Sequence, residues 1–154
     1  MLRVTDPRLA EVEALLREHH EFVMQHSPTE SVHALDVEGL CARDVTFWGA
    51  WDGEVLVGCG GLRELDATHG EIKSMRTTAA QQRRGIGGAV LEHIVRVAEE
   101  RGYRRLSLET GSAEAFRPAW SLYSRFGFEE CGPFGKYVED PYSRFMTRVL
   151  AASR

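Results

Sequence analysis

The run Gln82-Arg83-Arg84-Gly85-Ile86-Gly87-Gly88 constrains this chain more than any other stretch. It follows a segment with strand character, residues 71–77, and opens the clearest amphipathic helix, residues 85–101. Gly85 and Gly87 remove the Cβ atoms that would block close approach to the backbone. The first N–H groups of a helix have no internal acceptor, and the aligned peptide dipoles make that end positive. A phosphate fits there, and Arg83 and Arg84 add charge suited to a polyanion. Two common phosphate loops are excluded by spacing. A Walker loop needs GxxxxGK[ST], which neither Gly85 to Val90 nor Gly135-Lys136-Tyr137 supplies. A dinucleotide fingerprint needs Gly or Ala where Val90 stands, after a first strand near the chain start. On the glycines alone, a plain strand-to-helix turn is an equally good reading.

The rest of the chain supplies the context. Residues 2–5 read as a short strand, and Asp6-Pro7 as a helix start, with an acceptor side chain followed by a residue lacking N–H. Leu9, Val12, Leu15, Leu16 and Val23 keep helical spacing to about Gln25, and Ser27-Pro28 stops the run. A short helix is expected over residues 36–41. Residues 45–51 and 54–62 flank Asp52-Gly53, a hairpin signal of the type I′ kind, and His69-Gly70 marks the next turn. Val90, Leu91, Ile94, Val97 and Ala98 make one apolar stripe, closed by Gly102 at a C-cap position. Residues 105–110 read as a strand, Ser112 as the cap of a helix to Phe126, and residues 128–131 and 145–150 as two last strands. The order β-α-α-β-β-β-α-β-α-β-β predicts an α/β (α+β) fold. Its expected form is a mixed, mainly antiparallel sheet of six to seven strands with helices on both faces.

A chain of 154 residues with no linker or repeat is expected to be one domain, residues 1–154. Nineteen basic against 23 acidic residues, net −4, argue against a nucleic-acid partner. No apolar run approaches the roughly 20 residues that span a bilayer, and no signal-peptide pattern opens the chain. Cys41, Cys59 and Cys131 are odd in number and widely spaced, which suits a reducing, cytoplasmic setting.

Gln82-x-x-Gly85-x-Gly87 resembles the acyl-CoA pyrophosphate loop of the GNAT superfamily of N-acetyltransferases. Leu122-Tyr123-x-x-x-Gly127-Phe128 resembles the same superfamily's later motif, in the right order and at about the usual distance. The similarity runs from about Val45 to Leu150, and segments such as "LSLETGS" are similar to a bacterial subgroup of acetyltransferases. Lys136 stands where that subgroup often has an acidic residue, and Arg144 where it has an aliphatic one. The resemblance implies acetyl-CoA as co-substrate, with no metal. It implies a small-molecule amine as partner, with a homodimer admitted as the assembly. Ser74, Met75, Arg76, Thr77, Gln82, Arg83, Arg84, Gly85, Ile86, Gly87 and Gly88 would then bind the cofactor, and the Met75 N–H would face the thioester oxygen.

Direct attack of an amine on a thioester has three needs: a proton acceptor, an oxyanion donor and an acid for the thiolate. The resemblance places Glu71 as base, with Glu109 or water as alternatives. A salt bridge from Glu71 to Lys73, two residues on and on the same strand face, is the structural alternative. Tyr123, protonated at neutral pH, is the acid candidate, and a core tyrosine is the alternative. The N-terminal helices of this superfamily often wall the acceptor pocket, which makes His26, Ser31 and His33 binding candidates beside Glu109. His20-Glu21-Phe22-Val23-Met24 lacks the second histidine of HExxH. Cys59 has no His–Asp arrangement that would make it a nucleophile. A non-catalytic acyl-CoA sensor and a protein or peptide N-acetyltransferase are the competing functions.

Overall fold

A computed structural model describes residues 1–31, 37–78 and 84–151. Among the described residues, seven strands are ordered β1-β2-β3-β4-β5-β7-β6. They are β1 (Leu2–Val4), β2 (Val45–Asp52), β3 (Val55–Asp66), β4 (His69–Thr77), β5 (Arg105–Gly111), β6 (Glu129–Cys131) and β7 (Ser143–Val149). The helices are α1 (Ala10–His26), α2 (Val37–Leu40), α3 (Ile86–Glu100) and α4 (Arg117–Arg125). β4 and β5 pair in parallel, joined by the α3 crossover, and every other pairing is antiparallel. The mixed, mainly antiparallel sheet matches the expectation.

Alternation along β2 sends Trp48 and Phe47 to opposite faces. Trp48 joins Leu62, Ile72 and Leu108 under α3, where Val90, Leu91, Ile94 and Ala98 pack. Phe47 joins Leu56 and Cys59 under Val12, Leu15 and Leu16 of α1 and Leu40 of α2. Gly60 lets α3 lie close to the sheet, because a Cβ there would fall 2.8 Å from Val90 Cγ1.

Several local expectations shift. The first hairpin turns at Gly53-Glu54, with Asp52 paired to Val55. Positive φ is confined to Gly53 at 60°, the pattern of a type II′ turn and not I′. The next turn lies at Ala67-Thr68, because the Asp66 carboxylate accepts the Thr68 N–H and hydroxyl. Asp6 does not cap α1: its carboxylate accepts the Arg8 N–H, and the helix starts at Ala10. Ser112 donates instead to the Pro141 carbonyl, so a 3-10 turn, Glu114–Phe116, precedes α4. Asp36, the expected start of α2, lies outside the described residues.

An irregularity in β4 opens the sheet. Cys59 pairs with Arg76 and Gly61 with Lys73, so Ser74 and Met75 together oppose Gly60. Ser74 has φ 53°, and among the described residues it is the one non-glycine in that region. The Cys59 thiol donates to the Ser74 carbonyl at 3.3 Å. Such a bulge bends its strand. β4 and β5 pair from His69↔Arg105 only as far as Ile72↔Leu108, and beyond that they separate.

Candidate active site

A cavity of about 680 Å³ fills that separation. Residues 73–77 of β4 and 109–111 of β5 form two of its walls. Gly85, Ile86, Gly87 and Gly88 at the start of α3, Leu122 and Tyr123 of α4, His19, Phe22 and Val23 of α1, and Phe116 complete its lining.

At the start of α3, Gly85 adopts φ 81° as the N-cap residue. That is left-handed backbone, which favours glycine. The helical ladder begins with the Ala89 N–H on the Gly85 carbonyl. The N–H groups of Ile86, Gly87 and Gly88 precede the ladder and are unused within the helix. A Cβ on Gly87 would lie 3.2 Å from Leu122 Cδ2, and one on Gly88 3.5 Å from Phe126, so both glycines also let α4 approach α3. Ser74, Met75, Arg76 and Thr77 line the same cavity. Arg84 is exposed, and Gln82 and Arg83 lie outside the described residues. The Arg76 side chain turns to α1, where it pairs with Glu18 at 3.1 Å.

Tyr123 lines the cavity and is 8% exposed, edge-on to Phe128 at 5.9 Å. Burial pushes its phenol pKa up, so the group is protonated across the neutral range.

The two carboxylates separate clearly. Glu71 is 2% exposed and does not line the cavity. Lys73 Nζ lies 3.3 Å from its Oε2, and the Tyr137 hydroxyl donates to the same oxygen at 2.5 Å. Lys73 also donates to the Tyr137 oxygen at 3.0 Å. The salt bridge to Lys73, the structural alternative for Glu71, is present. Glu71 is held in a buried ion pair behind Lys73, capped by a tyrosine 66 residues away in sequence. Glu109 is the cavity carboxylate. Since Ile72↔Leu108 is the last β4–β5 pair, Lys73 and Glu109 are the first residues past the split. Burial pushes the Glu109 pKa up to about 7, opposed by Ser143 and the Lys73 charge and assisted by Glu71 and Asp140.

On the α1 side, Phe22 and Phe116 meet edge to face at 5.3 Å. His26 packs on both rings, at 4.8 and 6.1 Å, but does not reach the cavity wall. Ser31 ends the 3-10 turn Thr29–Ser31; His33 lies outside the described residues. The histidine in the wall is His19, whose pKa is pushed down to about 4 by burial, with help from the Arg76 and His20 charges. His19, Phe22 and Val23 were legible as i, i+3, i+4 on one helix face, but nothing marked that face as a cavity wall. Cys59 is inert, since burial pushes its thiol up to about 12. Among the described residues, no three His, Cys, Asp or Glu side chains gather where they could hold a metal.

Residues 10–128 match the model of the acetyltransferase (GNAT) family. The chain is 52% identical to the uncharacterized N-acetyltransferase YsnE of Bacillus subtilis (strain 168), over 97% of this chain and 99% of that protein. It is 48% identical to the uncharacterized N-acetyltransferase YedL of Escherichia coli (strain K12), over 90% and 87%. Among solved structures, a GNAT family acetyltransferase from Elizabethkingia anophelis with acetyl-CoA bound shares the fold. Its TM-score is 0.69 at 20% identity, covering 97% of each chain.

Proposed function

Because the chain belongs to the acetyltransferase (GNAT) family, we propose that it transfers an acetyl group from acetyl-CoA to a primary amine of a small molecule. The attack on the thioester is direct, within the cavity between β4 and β5. One observation carries this reading. Glu109 and Tyr123, a carboxylate poised near neutrality and a protonated phenol, stand on the walls of one cavity also lined by the α3 N-terminus.

Acetyl-CoA supplies an activated acyl group with a good leaving thiolate. The free N–H groups of Ile86, Gly87 and Gly88 hold its pyrophosphate at the positive end of α3. The backbone of Ser74, Met75, Arg76 and Thr77, freed from β5 by the split, is available to the pantetheine arm. The Met75 N–H serves the thioester oxygen as a preorganised donor. Glu109 takes the ammonium proton, because a base with a pKa near the working pH balances availability against strength. Tyr123 gives a proton to the departing thiolate. Lys73, held by Glu71 and Tyr137, keeps part of Glu109 ionised at neutral pH.

The test is an amine panel with acetyl-CoA, read as free thiol release. Tyr123→Phe keeps the ring and loses the proton, so kcat for an accepted amine should fall about 10²–10⁴-fold. CoA binding should be retained. Absence of turnover across the panel with tight CoA binding would favour a sensor without catalysis. Near wild-type kcat in Tyr123→Phe would make the tyrosine a packing residue.

A further inference from the structure

Ser74 holds φ 53° in the middle of the strand that borders the cavity. A Cβ disfavours such a backbone roughly 5–30-fold, so contacts outside the residue must hold it there. Its own side chain does not: Ser74 Oγ is buried with no hydrogen-bond partner among the described residues. The holding contacts come from β3. The sequence there is Gly58-Cys59-Gly60-Gly61, one side chain among three glycines. Gly60 faces the bulge and leaves room for Met75, whose Cγ would lie 3.1 Å from a Cβ on residue 60. Met75 thereby packs against the core under α3. Cys59 supplies the second contact, its thiol donating to the Ser74 carbonyl at 3.3 Å.

The chemistry of a bulge explains why a donor is needed at that point. Where two residues oppose one, the ladder cannot pair every peptide group of the longer strand. A buried carbonyl without a donor is costly. Pairing resumes at Cys59↔Arg76 and Gly61↔Lys73, and Ser74 lies between them. Cys59 is 1% exposed. Burial pushes its thiol up to about 12, so the S–H keeps its proton as a donor across the neutral range. A buried, protonated thiol is inert as a nucleophile, which leaves donation as its chemistry. Without that hold β4 can relax towards a regular register. Side chains alternate along a strand, so absorbing the extra residue would turn the residues on one side of it to the opposite face.

We infer that Cys59 is a positioning residue for acetyl transfer: through the Ser74 carbonyl it holds β4 in the bulged form on which the Met75 N–H meets the thioester oxygen. Cys59 is not part of the cavity wall and acts only through Ser74. The inference rests on the acetyl-transfer reading above and adds to it a residue outside the cavity.

The experiment uses Cys59→Ala, Cys59→Ser, Ser74→Gly and the double variant of Cys59→Ala with Ser74→Gly. Ala and Ser leave nearly the same gap beside Phe47 and Leu56, so the contrast between them isolates the donor. Two quantities are read: amide hydrogen exchange over residues 73–77, and thiol-release kinetics with an amine accepted in the panel. Cys59→Ala should speed exchange there and lower kcat about tenfold, a fraction of the roughly 10²-fold that a misplaced site can lose. KM for acetyl-CoA should move less than about threefold, because the pyrophosphate contacts at α3 are untouched. Cys59→Ser should stay within about threefold of wild type, since a hydroxyl is a stronger donor than a thiol. In the Ser74→Gly background the loss of the thiol should cost at most about twofold, because glycine reaches that φ with no Cβ to oppose it. A packing role gives a different pattern: equal losses in Ala and Ser, and the same loss in either background. That pattern overturns the inference, as does wild-type exchange in Cys59→Ala. Faster exchange with unchanged kcat overturns the positioning role and leaves Cys59 a structural residue. Absence of turnover in the wild-type protein sinks the acetyl-transfer reading instead, and the hold of Cys59 on the bulge then stands or falls on exchange alone.

Discussion

Replacing Glu71 by Gln separates a structural carboxylate from a catalytic one. Glu71 and Lys73 have side chains only 3% and 7% exposed, 3.3 Å apart. Removing one charge of a buried pair strands the other, and such changes cost about 3–5 kcal/mol. The Tyr137 hydroxyl, which bonds both partners, would keep a neutral acceptor in Gln but lose the charge-assisted bond. For a domain of this size each 1 kcal/mol moves Tm by roughly 2–4 °C, so Glu71→Gln should lower Tm by roughly 6–20 °C. Glu71→Leu combined with Lys73→Met should recover much of that loss, since replacing both partners by apolar groups is often neutral. Measured well below its midpoint, Glu71→Gln should keep kcat within about tenfold of wild type, less than loss of a catalytic base gives. The Glu71 charge raises the Glu109 pKa, so its removal should move the pH–rate inflection to lower pH. Denaturation monitored by circular dichroism and thiol-release kinetics on the same preparations decide the matter. A variant of unchanged stability whose kcat drops about 100-fold or more would refute the assignment and restore Glu71 as base.

Gly87→Glu puts bulk within 3.2 Å of Leu122 and a negative charge at the α3 N-terminus. The thermal stabilisation by CoA, about 2.7 kcal/mol at 100 Kd, should vanish while the variant stays folded. Glu109 has its folded pKa raised from 4.5 to about 7, so its contribution is most favourable below about pH 4.5 and is lost as pH rises through 7. Glu109→Gln should therefore be more stable than wild type at pH 8, by on the order of 3 kcal/mol, with the advantage shrinking towards pH 5 in denaturant titrations.

The glycine loop was legible because its requirement is local: a left-handed N-cap at Gly85 and close helix contacts at Gly87 and Gly88 are properties of missing side chains. The α3 stripe and the β4-α3-β5 crossover were legible through periodicity, and Tyr123 through the motif around it. Caps were misread at Asp6 and Ser112, because each side chain spends its hydrogen bond on a loop partner instead of the helix end. The bulge at Ser74 left no trace, since serine carries no preference for φ 53° that glycine would have signalled. Which carboxylate is free could not be read from β4 and β5 alone. It depends on Tyr137, brought over Glu71 by the loop before β7, where Phe134 packs on Phe145 and His69. His19 was hidden for a related reason: its role comes from facing Arg76 across the α1–β4 interface.

The most direct test of acetyl transfer in this cavity is the ratio of wild-type to Glu109→Gln kcat/KM as a function of pH. The ratio cancels the titration of the amine acceptor itself. With a Glu109 pKa of about 7, roughly a tenth of the carboxyl is ionised at pH 6 and roughly nine-tenths at pH 8. A catalytic Glu109 gives a ratio of about 10²–10⁴ at high pH, falling about tenfold between pH 8 and pH 6. A ratio near one, or one that does not change with pH, would contradict its role as the base.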